Sequence, residues 1–314
     1  MVEGNKKKNF LRGMLYLSPA IVLLAIFTFY PLINTFIISF NKGYNYLTNT
    51  FNPKGWGFGN YAKLFADGNP FFGYLRNTMI IVFVSVPISI MLSLLIAVAL
   101  NSIKPLQKFL QTIFFLPYVT NTIAIGMVFS VMFESQQGLI NTILNLCGAS
   151  SINWLGGNLE AGLLFGSQYV TSLVVLLVYI VWNSLPFKIL ILLSALQGID
   201  KQYYQAAQID ATPKGRIFRR ITVPLLSPQI FYLLITSFIG AFKEYTSVVA
   251  IFGKEAGSVG SNHNMATVVW YIYQKIYDGA TTIGYAAAGA VILFAIIMFF
   301  TVINKIVEKY KVHY

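Results

Sequence analysis

Residues Asp200–Pro228 read DKQYYQAAQIDATPKGRIFRRITVPLLSP and form the longest polar and charged interval of a mostly apolar chain. A loop that only joined two apolar helices would need far fewer residues and no internal order. Asp200 is placed to cap a short helix, and Thr212 followed by Pro213 is typical of the N-cap and first position of a second helix. The segment therefore predicts two short helices that meet at Ala211 and Thr212 and present a compact docking surface.

The rest of the chain has the composition of a membrane protein. Of its 314 residues, 56% are hydrophobic and 10% are charged, whereas soluble domains carry about 25% charged residues. Several charge-free intervals each exceed the ~20 apolar residues that cross a ~30 Å hydrocarbon core. These intervals are Gly13–Asn41, Asn77–Ile103, Phe109–Phe133, Ala161–Phe187, Ile221–Phe242 and Gly279–Asn304. We therefore predict an all-α polytopic membrane protein with six transmembrane helices.

These helices form one predicted transmembrane domain, residues 13–309, between a basic lead, residues 1–12, and a tail, residues 310–314. The fourth apolar stretch runs on to Ile199 and is too long for one crossing. Counting back from Asp200 by about 20 residues, at about 1.5 Å per residue, places its crossing near residues 174–197. The six helices are expected at about residues 13–41, 77–103, 109–133, 170–197, 225–252 and 279–304.

Prolines and polar residues interrupt these predicted helices. Pro87 and Pro117 are expected to bend the second and third helices, and the polar patch 118–122 is expected at a helix interface or a wet cavity. Lys188 either snorkels to the inner interface or faces a solute path. The pair Lys243–Glu244 lies either inside the outer half of the fifth helix or at its outer end.

The net charge of +12 is distributed as the positive-inside rule predicts for one orientation. Lys and Arg cluster before the first helix, in the loop of residues 200–220 and after the last helix, whereas residues 134–160 contain none. This pattern predicts a multi-pass protein of the cell membrane with both termini and the 200–220 loop in the cytoplasm. The basic clusters are thus topology signals, and no nucleic-acid partner is expected.

The sequence lacks the side-chain groupings of an enzyme. The single cysteine, Cys147, cannot form an internal disulfide and indicates no metal site. No Gly-x-x-x-x-Gly-Lys-Ser/Thr loop for nucleotide phosphates occurs, and no nucleophile is paired with a base. A solute path through these helices would therefore need an external motor.

One motif resembles a known family. The run Gln205-Ala206-Ala207-x-x-Asp210-Ala211, followed at family spacing by Phe218, Ile221, Pro224 and Pro228, is similar to the EAA loop of binding-protein-dependent ABC transporter permeases. Two positions depart from the family pattern, because Gln205 replaces a glutamate and Ala211 replaces a glycine. Gln205 cannot supply the carboxylate.

The resemblance implies a type I ABC importer permease fold with a cytoplasmic EAA coupling helix. It also implies ATP-binding ABC subunits that bind ATP and Mg, a second homologous permease in a heterodimer, and an extracytoplasmic solute-binding protein. This chain itself would hold no cofactor. The implied coupling residues are Tyr204, Gln205, Ala206, Ala207, Asp210, Ala211, Phe218 and Pro224.

Other motifs resemble the sugar-uptake branch of that family. They are Gly59-Asn60-Tyr61 with Leu64-Phe65 and Asn77-Thr78, Gly138-Leu139-Ile140-Asn141, Asn153-Trp154-Leu155-Gly156 and Gly284-Tyr285-Ala286-Ala287-Ala288. The resemblance implies a sugar substrate, with an oligosaccharide, a monosaccharide and a polyol phosphate left open, held here or by the partner permease. The implied path residues are Tyr118, Thr122, Trp182, Asn183, Ser184, Lys243 and Glu244.

Two other classes of function compete with this interpretation. An ion-coupled secondary transporter would use intramembrane charges such as Lys188 or Glu244 for coupling, but no internal repeat is evident. A non-transport scaffold or membrane enzyme would leave the polar residues near the midplane unexplained. The 200–228 segment favours the importer permease over both.

Overall fold

The computed structural model describes residues 6–103, 107–156, 168–257 and 263–311. Over these residues the chain is helical, and the β-type pairings seen there are the isolated bridges Asn41–Trp56 and Asn45–Thr50. The start of the lead, residues 104–106 between the second and third predicted helices, and the end of the tail lie outside the described residues.

The helices are numbered α1–α15 in chain order, and two π-helical turns, Ala25–Phe29 and Phe218–Thr222, join α1 to α2 and α10 to α11. The bounds are α1 Lys6–Leu24, α2 Tyr30–Ser39, α3 Gly59–Leu64, α4 Phe71–Ser102, α5 Gln107–Val119, α6 Thr122–Met132, α7 Leu139–Leu146, α8 Gln168–Gln197, α9 Lys201–Ile209, α10 Lys214–Ile217, α11 Val223–Leu225, α12 Ser227–Phe242, α13 Thr246–Phe252, α14 Val268–Tyr277 and α15 Ile283–Lys311.

Six segments of the described chain are long and apolar enough to cross a membrane if each bent helix pair is one span. Four are unbroken: Phe10–Ser39, Phe71–Ser102, Gln168–Gln197 and Ile283–Lys309. The other two are the pairs α5 with α6 and Lys214–Leu225 with α12. The prediction of six helices therefore agrees with the fold, but two of the six are not single rods.

The third predicted helix, residues 109–133, consists of α5 and α6 with 98° between them. Pro117 lies inside α5, and the break follows it at Asn121. The Asn121 side chain accepts hydrogen bonds from the backbone N–H groups of Ile123 and Ala124 at 2.9 and 3.2 Å. This side-chain cap starts α6 in a new direction, so the cap rather than the proline marks the bend.

The fifth predicted helix, residues 225–252, is interrupted twice. The segment Lys214–Leu225 meets α12 at 66°. Further on, α12 ends at Phe242 and α13 begins at Thr246. The pair Lys243–Glu244 lies in this second break. The pair therefore lies in the second half of the predicted helix, as one of the two interpretations had it, but at a break and not within a continuous helix.

The chain divides into two compact units, one of residues up to Asn69 with Ile272–Ile292 and the other of Pro70–Tyr271 with residues from Leu293 onward. In the first unit, the motif glycine Gly284 is close-packed, since an added Cβ would lie 2.8 Å from the Asn60 amide nitrogen. That amide donates to the carbonyls of Ser39 and Asn41. Two of the motifs quoted from the sequence thus meet at one buried asparagine.

In the second unit, α4 packs along α8 and an apolar cluster forms between α4, α8 and α12. We call it the inner cluster, and its buried members are Ala97, Leu100, Ile189, Leu192, Leu193, Leu196, Leu226 and Leu233. Leu196 lies near the end of α8 and Leu226 just before α12. The cluster therefore joins the two chain positions that flank the 200–225 segment.

The loop between α6 and α8 is organised by Asn141. Its side-chain amide donates to the carbonyls of Ser135 and Ile152 and accepts from Trp154 Nε1 at 2.9 Å. Nearby, the Glu134 carboxylate accepts the backbone N–H groups of Gln137 and Gln136, and these bonds lower the pKa of Glu134. The sugar-branch motifs at 138–141 and 153–156 are therefore two sides of one buried hydrogen-bond network.

Candidate functional site

A cavity of about 450 Å³ lies inside the second unit, where the two broken segments and the helices α4 and α8 face one another. We call it the central cavity. Its lining residues are Ser85 and Val86 of α4, Pro117, Tyr118 and Thr122 of α5 and α6, Ile180, Asn183, Ser184, Phe187 and Lys188 of α8, Thr236, Ser237, Gly240 and Ala241 of α12, Glu244 of the break and Ser247 of α13. Hydroxyl, amide and charged groups dominate this list, so the cavity is polar within an apolar segment of chain.

The first wall is the end of α5. The Tyr118 ring stacks on Phe187 with 5.8 Å between ring centroids and 16° between planes. The ring also contacts Phe115, with 5.3 Å between ring centroids, and Tyr118 is 53% exposed, so about half of the side chain is open. At the start of α6, the Thr122 carbonyl accepts the Tyr179 hydroxyl at 2.6 Å. An aromatic face beside hydroxyl and amide groups suits a carbohydrate, whose C–H faces pack on rings.

The second wall is α8, which presents Asn183, Ser184 and Lys188. Lys188 is only 5% exposed, and its Nζ donates to the hydroxyls of Ser89 on α4 and Ser184 one turn earlier. Of the two positions considered from the sequence, Lys188 therefore faces the cavity and does not snorkel.

The third wall is the break between α12 and α13. The Glu244 side chain accepts the backbone N–H of Ser247 at 2.9 Å, and the Glu244 carbonyl accepts the Thr267 hydroxyl at 2.7 Å. The carboxylate thus satisfies an N–H of the first turn of α13 from the residue before the N-cap Tyr245, whereas Asn121 is itself the N-cap of α6. Each broken segment resumes its helix beside the cavity on a polar side-chain cap.

The structure brings five of the seven predicted path residues to the cavity: Tyr118, Thr122, Asn183, Ser184 and Glu244. The other two are not among its lining residues. Trp182 packs against Phe129 with 5.2 Å between ring centroids, because consecutive residues on a helix point about 100° apart. Lys243 is exposed.

Sequence reasoning did not place Ser85, Thr236, Ser237 or Ser247 among the path residues, and it left Lys188 open between the path and the inner interface. A signal existed for part of this set, because Thr236, Gly240 and Glu244 follow one another at four-residue spacing. Such spacing marks one helical face.

The 200–228 segment folds largely as predicted. Asp200 accepts the Gln202 N–H at 2.9 Å and caps α9. Thr212 is not the cap of the next helix, because Pro213 occupies that position and no side-chain bond is made there. The second helix therefore begins one residue later than predicted, with Pro213 at its N-cap position and not at its first helical position.

The turn after α9 is a Schellman motif. Thr212 N donates to the Ala207 carbonyl at 2.9 Å and Ala211 N to the Gln208 carbonyl at 3.0 Å. Ala211 has a φ of 48°, a left-handed conformation that glycine adopts more easily. The departure from the family glycine at this position therefore puts an alanine in a strained backbone conformation.

The predicted coupling residues divide between two faces. Ala207 is buried at 6% exposure, and the Tyr204 hydroxyl lies 3.3 Å from the buried Thr222 hydroxyl. These residues pack against their own chain, with Phe218 and Pro224 half-buried. The exposed face of α9 instead carries Tyr203, Gln205, Ala206, Ile209 and Asp210.

Ile209 is 86% exposed, so this outer face combines an apolar tip, a small alanine and an aromatic ring. Sequence reasoning missed Tyr203 and Ile209 as surface groups. Their spacing from Ala206 was the signal, since residues three apart share a face.

Most of the chain, including the cavity residues and the 200–228 segment, is similar in sequence to known proteins. Residues 55–311 match the family model described as "binding-protein-dependent transport system inner membrane component". The chain is 31% identical over 278 residues to the lactose transport system permease protein LacF of Rhizobium radiobacter, covering 88% of this chain and 86% of LacF. It is 30% identical over 296 residues to the arabinooligosaccharides transport system permease protein AraP of Bacillus subtilis, covering 92% and 86%.

The fold was also compared with solved structures. It resembles a chain of the bacterial alginate ABC transporter, crystallised in complex with an alginate pentasaccharide-bound periplasmic protein. The TM-score is 0.74 at 20% identity, covering 97% of this chain and 96% of that chain.

Proposed function

Because this chain belongs to the family of binding-protein-dependent transport system inner membrane components, we propose that it is the permease subunit of an ATP-driven importer that moves an oligosaccharide into the cell. It is a multi-pass membrane protein and a transporter component rather than an enzyme. The observation that carries the proposal is the polar central cavity at the two helix breaks. Tyr118 offers it a ring face, and Asn183 and Glu244 offer an amide and a carboxylate for sugar hydroxyls.

The helix breaks supply a reason for movement at this place. A break frees backbone groups and lets the two halves of a span tilt separately, which is tolerated in a membrane where the backbone lines a cavity. Asn121 and Glu244 hold the second halves in their present directions. Tilting about these two points would open the cavity to one side of the membrane and close it to the other.

The energy would come from a separate ATPase subunit that receives the outer face of α9. That partner would bind ATP and Mg. A second homologous permease would complete the pore, and an extracytoplasmic binding protein would deliver the sugar. The inner cluster supports a mechanical link between the ATPase and the helices around the cavity. It contains both Leu196 and Leu226, which flank the 200–225 segment.

The proposed orientation places both termini and the 200–228 segment in the cytoplasm. It rests on the charge distribution, since Lys214, Arg216, Arg219 and Arg220 are exposed in and beside α10 and positive charge is retained inside.

The test is reconstitution of the complete complex in sealed vesicles with a labelled oligosaccharide. Uptake is expected to require ATP on the side of the membrane where the ATPase subunit is bound. Vanadate is expected to inhibit it. A competing secondary transporter would take up sugar with this chain alone under an ion gradient and without ATP. Uptake of that kind would overturn the proposal.

A further inference from the structure

We infer that the central cavity selects a carbohydrate carrying an acidic group, with Lys188 as the residue that recognises the acid. This inference rests on the proposed function and names the class of its substrate. It goes beyond the sugar transport for which relatives such as LacF and AraP are named, because it depends on one lysine of this chain.

The position of Lys188 shields its ammonium group from bulk solvent. It lies about 13 Å before the end of α8, at about 1.5 Å per residue, and is 5% exposed. A lysine near a helix end extends its head group to the interface. Lys188 instead bends across to α4, where its Nζ meets Ser89 Oγ, and back to Ser184 Oγ at 3.0 Å.

These two serines do not neutralise the ammonium. An ammonium group has three donors, and the serines accept two of them. Lys188 makes no ion pair among the described residues, where the pairs found are His263–Glu255 and Lys275–Asp278. The third N–H and the positive charge therefore remain for a group in the cavity that Lys188 lines.

Glu244 is the other charged group on the cavity lining. It does not pair with Lys188, and its carboxylate caps α13 through the Ser247 N–H. A carboxylate accepts hydrogen bonds from neutral hydroxyls, which every sugar supplies. The two charges thus set a direction across the cavity, with hydroxyls toward Glu244 and an acidic group toward Lys188.

Burial makes this charge selective. A sugar that fills the cavity displaces water, and an ammonium without water needs a countercharge, because desolvated charges are stable only when paired. A neutral sugar can offer Lys188 only hydroxyl oxygens, as Ser89 and Ser184 already do. A carboxylate or phosphate on the sugar supplies the missing charge and a stronger hydrogen bond.

The experiment measures ATP-dependent uptake by the reconstituted complex for matched pairs of carbohydrates. One pair is oligogalacturonate and its neutral methyl ester, another is glucose 6-phosphate and glucose, and neutral oligosaccharides complete the panel. The pairs separate a carboxylate from a phosphate. The acidic member of a pair is expected to be taken up at least tenfold more efficiently than its neutral counterpart.

The variant Lys188→Met is expected to remove this preference, because it should lower uptake of the acidic member at least tenfold more than uptake of the neutral member. Lys188→Arg keeps the charge and is expected to keep the preference. Ser93→Ala is the matched control, because Ser93 lies one turn beyond Ser89 on α4, is fully buried and has no hydrogen-bond partner for its hydroxyl.

Preferred uptake of a neutral sugar by the unaltered complex would overturn the inference and leave the proposed function standing. An equal loss of acidic and neutral uptake in Lys188→Met would also overturn it, since that is the effect of a structural lysine. Absence of ATP-dependent uptake for every carbohydrate in the panel would contradict the proposed function itself.

Discussion

Gly126 of α6 lies directly against Ala250 of α13, such that a Cβ on the glycine would be 2.3 Å from the Cβ of the alanine. The two helices that follow the two breaks are therefore in contact at backbone distance. A glycine is required on one side because no larger side chain fits between them.

Enlarging this contact is expected to destabilise the protein. Gly126→Ala forces α6 and α13 apart and should lower the free energy of unfolding by about 1–3 kcal/mol, as overpacking does. Ala250→Gly in the same chain removes the clashing methyl and should restore most of that loss. Thermal unfolding of the purified single and double variants measures both. Purely additive losses would show that the two residues are not in contact.

Ala211→Gly is expected to stabilise the 200–228 segment. Ala211 has a φ of 48° at the end of the Schellman motif, and a left-handed conformation costs a non-glycine residue about 1–2 kcal/mol. The gain should appear as a higher melting temperature, and Ala211→Val should lower it. A glycine variant that melts lower than the natural chain would contradict the assigned turn.

Two neighbouring alanines are expected to respond differently to the same change. Ala206 is exposed, so Ala206→Arg should leave folding intact and weaken ATPase association by at least ~30-fold, or about 2 kcal/mol for a central contact. Ala207 is 6% exposed, so Ala207→Arg should reduce the amount of folded protein. Pull-down of the ATPase and size-exclusion profiles separate the two effects. Normal association of Ala206→Arg would place the docking surface elsewhere.

The ring of Tyr118 and the amide of Asn183 are expected to contact the sugar. Tyr118→Ala and Asn183→Ala should each raise the KM for uptake by about tenfold, equivalent to about 1.4 kcal/mol, with little change in melting temperature. Trp182→Phe is the control from the same turn of α8, because Trp182 packs on Phe129 outside the cavity. Unchanged KM and specificity in both alanine variants would remove these residues from the path.

Labelling of single cysteines tests the orientation. Cys147 is exposed after α7 and should react with an impermeant maleimide added outside intact cells. The double variant Cys147→Ser, Lys214→Cys should react with the same maleimide only after the membrane has been permeabilised. Labelling of both positions from the same side would reverse the proposed topology.

The long helices were predictable from sequence because their signal is local. A charge-free stretch such as Asn77–Ile103 needs no knowledge of its neighbours to be assigned as a span, and α4 runs through it from Phe71 to Ser102. The fourth helix, expected at about 170–197, is observed at Gln168–Gln197. These bounds depend on length and hydropathy alone.

The breaks were not predictable, because they depend on single side chains. Asn121 and Glu244 each turn a polar group toward the N–H groups of the helix that follows, and nothing local distinguishes this from an asparagine or glutamate that faces a neighbour. Proline was the stronger sequence signal, but Pro87 lies within the continuous helix α4.

The inner and outer faces of α9 depend on how the helix rolls about its axis. Ala206 and Ala207 are equivalent in sequence, but in the fold Ala207 is buried, on the helix that Tyr204 links to Thr222. The orientation of Lys188 likewise follows from the packing of α8 on α4, which brings Ser89 within reach.

Leu196 and Leu226 share one apolar cluster although the whole docking segment lies between them in sequence. Residues 200–225 are consequently anchored at both ends by one cluster. They cannot be lengthened or shortened without disturbing α8 and α12 together. Insertions in residues 200–225 should uncouple the proposed ATPase subunit from the central cavity, even when every residue that would contact the ATPase is retained.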